Sequence, residues 1–205
     1  VYQGGCDATQ WQSFDRCTPL NFAFLSRSRY EVRTMQGDYH CPVYQLKGQQ
    51  ADEGRYNELC RLTALALQWF EAKYGDAYIA PKYGVHDYPA FLFHTGNAAF
   101  NRYNMGFISA SQKKFATYPD IYPLVHEIGH RWMGEYSMFI DSGKRGYAFV
   151  IETLNEFMTL QCIRDIEGVE VYESLIKECR DSWDKIKGTE QDVHPIDVVE
   201  NNNIP

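Results

Sequence analysis

His126-Glu127-Ile128-Gly129-His130 sets two imidazoles four residues apart, with a carboxylate beside the first. On a helix, positions i and i+4 share a face, so both rings can reach one zinc ion. Glu127 sits about 100° further round the helix. From there its carboxylate can touch a water on that ion, and take its proton, without being a ligand. Two His and one Glu at this spacing arise by accident in on the order of 1% of chains of this size or fewer. The flanking residues favour a helix: Asp120 as a cap, Pro123 tolerated in the first turn, and apolar Leu124, Val125 and Ile128 around the motif. The chemistry expected is hydrolysis by an activated water, with one Zn2+ per chain.

A catalytic zinc takes three protein ligands and keeps one position open. The following helix offers Glu152 and Glu156, four residues apart and on one face. Either would complete a His2Glu set. The other would then accept a hydrogen bond from a ligand histidine or face solvent. The residues after His130 include Met133-Gly134-Glu135-Tyr136, with no third His at the HExxHxxGxxH spacing, so the metzincin pattern is absent. No two of the six cysteines form a CxxC pair, which leaves a cysteine zinc site unsupported. An even count permits three disulfides, and free buried thiols fit a chain of this length equally well. His40, His86 and His94 have no partner spacing, and His194, before Pro195, reads as a turn residue. Tyr136 and Tyr147 flank the loop after the motif and are candidate oxyanion donors, with packing the commoner role for each.

These residues need helices to hold them. Leu59, Leu62, Leu65, Ala66, Trp69 and Phe70 recur at three- and four-residue steps, which predicts a helix over about 51–74 ending at Gly75. The motif helix is expected from Asp120 to about Tyr136. Another is expected from Ala148 to Ile166 with a stop at Gly168, and a last one from Val171 to Lys187 with a stop at Gly188. Before and between these, Pro19–Leu25, Tyr30–Thr34, Tyr39–Leu46, Ala90–Phe93 and Met105–Ile108 read as strands. Strands first and helices after imply an α+β fold, with a mixed sheet followed by the helices that carry HExxH and the downstream Glu.

The chain has 205 residues, 20 basic against 27 acidic, and a net charge of −7. There is no basic stripe, which argues against nucleic acid and anionic membrane as partners. No apolar run approaches the roughly 18 residues that a membrane span needs. Nothing in the sequence separates an extracytoplasmic from a cytoplasmic location.

His126 to Glu135 reads HEIGHRWMGE, similar to the HELAHQWFGN of the alanyl aminopeptidase (aminopeptidase N-like) family of gluzincins. Phe149-Val150-Ile151-Glu152 falls where that family has WLNE, and Pro81-Lys82 and His194-Pro195-Ile196 resemble its YPxPKxD and SHPI segments. The resemblance covers nearly the whole chain and implies a thermolysin-like zincin catalytic domain over 46–205, preceded over 1–45 by the end of an N-terminal β-domain. It implies Glu152 as the third zinc ligand, Glu156 behind a ligand histidine, Glu127 as general base, and a peptide or protein substrate. The 21 residues between His130 and Glu152 exceed the family's usual spacing, so a longer loop is expected there.

The family's GxMEN segment corresponds to the stretch Tyr103-Asn104-Met105-Gly106. Tyr103, Asn104 and Gly106 are therefore the expected substrate-binding residues. Tyr103 stands where the family has the Glu that grips a free α-amine, and a neutral phenol cannot pair with an ammonium as a carboxylate does. Weakened recognition of a free amino terminus is expected, and an endopeptidase or a non-catalytic zinc-containing peptide-binding module are the alternative readings. After His194-Pro195-Ile196 only nine residues follow and none is Tyr. The resemblance thus implies that the oxyanion-donating tyrosine and further domains lie outside this catalytic-domain fragment.

Overall fold

The computed structural model describes residues 29–34, 42–48, 53–75, 90–94, 100–104, 107–111, 121–130, 132–133 and 144–197. The alternating run Tyr30–Thr34 forms β1 and pairs antiparallel with Pro42–Leu46, β2, with Val32 opposite Tyr44. Helix α1, Glu53–Tyr74, connects β2 to β3, Ala90–His94, which lies parallel to β2. A parallel neighbour needs such a crossover, because a tight turn can join only antiparallel strands. Phe100–Asn104, β4, and Phe107–Ser111, β5, pair antiparallel with a register irregularity between Asn101 and Asn104. Among the described residues, five strands form one mixed sheet in the order β1-β2-β3-β5-β4, with β1 and β4 at its edges.

The chain divides into two compact units: Val1–Ala64 with Ile79–Asp120, and Leu65–Tyr78 with Ile121–Pro205. The first holds the sheet. Its buried polar centre is Gln45 on β2, which accepts from the Tyr56 hydroxyl at 2.8 Å and donates to Glu31. Burying an amide is tolerable when both of its ends are paired.

The second unit holds the helices. Phe70, Leu124, Val125, Ile128, Ile151, Met158, Cys162 and Ile163 are buried there. Phe70 stacks on Trp132 with ring centroids 4.9 Å apart, and the Trp132 indole donates to the Gly75 carbonyl at 2.8 Å. Helix α2 spans Ile121–Gly129. It ends at the motif, where the chain tightens: Trp132 N donates to the Gly129 carbonyl three residues back, at 2.9 Å. Phe149–Thr153 is a π-helical turn in which Leu154 N donates to Phe149 O, and it runs directly into α3, Leu154–Glu167. Gly168, at φ 96°, adopts a conformation that a residue with a Cβ rarely takes and starts α4, Val169–Ile186. Pro195–Asp197 forms a short 3-10 turn, in which His194 accepts from Ile196 N and Asp197 N. That turn packs beside Gly146, just ahead of the π turn, and Asp197 pairs with Arg145.

Two expectations are corrected: the Phe100–Asn104 strand is additional and the motif helix is shorter. Of the two alternatives left open for the cysteines, Cys162 and Cys179 take the free thiol. Pro19–Leu25, Met105, Gly106, Tyr136, His40, His86 and the lead-in before residue 29 lie outside the described residues.

Candidate metal centre

The apolar Leu124, Val125 and Ile128 seat α2 in the helical unit, which leaves His126 and His130 together on another face. Both side chains are mostly buried, with 15% and 14% exposure. Their ring planes meet at 90° with centroids 4.7 Å apart, and the two Nε2 atoms approach to 3.1 Å. Glu152, on the π turn, brings Oε2 to 3.2 Å from His126 Nε2 and 3.6 Å from His130 Nε2.

These three atoms can be tested against zinc. Ligand bonds of about 2.0–2.1 Å in a tetrahedron place any two ligand atoms about 3.3–3.4 Å apart. The observed edges of 3.1, 3.2 and 3.6 Å bracket that separation. Two imidazoles and one carboxylate are a donor set that zinc accepts. Among the described residues, His126, His130 and Glu152 are the one group of three His, Cys, Asp or Glu so placed.

The electrostatics point the same way. Burial opposes charge on His126, but the carboxylates of Glu152, Glu156 and Glu127 outweigh it and push its pKa up to about 10. Surroundings that hold a proton on a buried ring favour a cation at the same place.

Each histidine is also held from behind. The Met133 carbonyl, 2.9 Å from His130 Nδ1, can only accept. Nδ1 therefore carries the proton and Nε2 keeps its lone pair toward Glu152. His126 Nδ1 faces Glu156 Oε1 at 3.3 Å, off the axis of a hydrogen bond, so that contact is electrostatic. Tyr122 donates its hydroxyl proton to the other Glu156 oxygen. Burial would raise the Glu156 carboxyl, but His126 and Tyr122 hold it below the ordinary glutamate range.

No protein-family model matches the sequence, and no curated protein does. Among solved structures, the fold is similar to that of an M1 zinc metallopeptidase variant from Deinococcus radiodurans. The TM-score is 0.50 at 13% identity, covering 83% of this chain and 35% of that one. The likeness is one of fold, and this chain spans about a third of the other's length.

Glu127 lies on α2 next to His126 and is buried. Tyr103 and Asn104 close the edge strand β4, and Gly106 falls outside the described residues. Tyr147 is buried, in keeping with packing. Asn155 is a residue that sequence reasoning passed over. It is fully buried on α3 and donates its amide to the His126 carbonyl at 2.8 Å. The available signal was its phase: Ile151, Asn155, Met158 and Cys162 recur at steps of three and four, which puts an amide on the apolar face.

Proposed function

We propose that this chain is the catalytic portion of a zinc metallopeptidase of thermolysin-like fold, aminopeptidase-related, that hydrolyses peptide bonds. The observation that carries this reading is the triangle of His126 Nε2, His130 Nε2 and Glu152 Oε2, whose edges suit a tetrahedral ion. One zinc would be held by these three residues. Bound there, the ion supplies a Lewis acid that polarises the scissile carbonyl and lowers the pKa of water.

The remaining work falls to the chain itself. The Glu127 carboxylate accepts the proton of the attacking water and returns it to the leaving amine. Glu156, gripped by Tyr122, holds the His126 ring in orientation. By the resemblance, Tyr103, Asn104 and Gly106 would be the residues that meet an extended peptide, which a strand edge can bind through its main chain. With Tyr103 in place of an acid, a free α-amine has no carboxylate partner at that position. The substrate is a peptide or protein rather than nucleic acid. No helix among the described residues is long and apolar enough to cross a membrane.

The test is a peptide-library cleavage assay on zinc-loaded protein, with Glu127→Gln as the control. The variant should keep its zinc and lose about 10²–10⁴ in rate, the range for a general base. Zinc-dependent peptide binding with no cleavage by either form would favour the non-catalytic binding module instead.

A further inference from the structure

We infer that Asn155 is a positioning residue for the metal-holding triad: its amide ties the carbonyl of His126 to the helix that follows Glu152, and so fixes how far apart the two ligand-bearing segments stand. The inference rests on the zinc reading above and goes beyond it by assigning a role to a residue outside the ligand set.

Helix α2 ends at Gly129, so the carbonyls of its last turn lack regular partners within the helix. Along its own segment, the His126 carbonyl receives a long bond, 3.3 Å, from His130 N. Asn155 supplies a second and shorter one, Nδ2 to O at 2.8 Å, from 29 positions along the chain. A carbonyl can only accept, so the amide is oriented with its NH2 toward His126. Its oxygen then points at Gly129. A Cβ built on Gly129 would lie 2.1 Å from Asn155 Oδ1 and 3.1 Å from Phe70 Cζ. Glycine is what allows the two segments to come this close, and the amide bridges the gap.

The amide is not there for packing. Asn155 is fully buried, and its Oδ1 has no hydrogen-bond partner among the described residues. A buried polar atom left unpaired is costly, and an apolar side chain of similar volume would avoid that cost. What an apolar residue cannot do is hold the His126 backbone. Asn155 lies three residues after Glu152 and directly before Glu156. The same short stretch therefore presents one carboxylate to both Nε2 atoms, another to His126 Nδ1, and an amide to the His126 main chain.

The experiment compares the protein with Asn155→Leu and Asn155→Ala. Zinc affinity is measured by competition with a chromophoric chelator, the visible spectrum is recorded with Co2+ as the probe ion, and the metal-free forms are melted. Asn155→Leu should bind zinc about 10–100-fold more weakly, the range for residues that orient ligands. It should also alter the Co2+ spectrum, while the metal-free melting temperature stays level or rises. Asn155→Ala should show the same loss of affinity, and it serves if the leucine variant does not fold. Zinc affinity within about twofold of the parent in the folded variants, with an unchanged Co2+ spectrum, would overturn the role of Asn155 and leave the zinc site standing. Failure of the unsubstituted protein to bind either metal would overturn the site, and this inference with it.

Discussion

At the scale of single residues, the two glutamates on one face are separated by what they touch. Glu152 Oε2 lies near both Nε2 atoms, whereas Glu156 reaches only the far nitrogen of His126 and is itself held by Tyr122. Removing charge from an atom that would bond the ion should therefore cost more than removing it from one that orients a ligand. Glu156→Gln is expected to weaken zinc binding by about 10–100-fold. Glu152→Gln should weaken it further, measured by the same chelator competition. The opposite ranking would give Glu156 the ligand role. The HExxH spacing made His126, Glu127 and His130 legible in the sequence, because i,i+4 on a helix is a fixed geometry. Spacing alone left Glu152 and Glu156 equivalent, since both occupy one face. Their difference arises from where α3 sits against α2, which is a tertiary fact.

At the scale of elements, the long helices were legible because their apolar residues recur at three and four, as in Leu59, Leu62, Ala66 and Phe70, and because Gly75 and Gly168 mark stops. The end of α2 was not. Trp132 and Met133 continue an apolar pattern that would suit a helix, yet the Trp132 amide donates to Gly129 only three residues back and its indole is drawn to Gly75. Strand β4 was obscured by its composition, since Phe100-Asn101-Arg102-Tyr103-Asn104 shows no alternation for its edge position to display. The π turn left no sequence signal at all. The tight approach of α2 and α3 yields a prediction at this scale. Gly129→Ala would push a methyl into Asn155 and Phe70. It should destabilise the protein by about 1–3 kcal/mol, the usual cost of overpacking, as read from urea or thermal unfolding. An unchanged midpoint would mean that the helices part without cost.

At the scale of the whole molecule, a sheet-bearing unit and a helical unit make up a chain that spans about a third of the M1 metallopeptidase it resembles in fold. The candidate metal centre lies entirely within the helical unit. The substrate-binding residues expected from the sequence, Tyr103, Asn104 and Gly106, belong to the other. Because residue 103 is a phenol and not an acid, N-acetylated peptides should compete for binding about as well as peptides with a free amino terminus. A preference for free termini above about tenfold, roughly 1.4 kcal/mol, would mean that another acid grips the amine. All of this depends on the ion. The most direct test is elemental analysis of the purified protein beside its His126→Ala/His130→Ala double variant. Close to one zinc per chain, lost in the double variant, is the predicted result, and a metal content that the double substitution leaves unchanged would contradict the site.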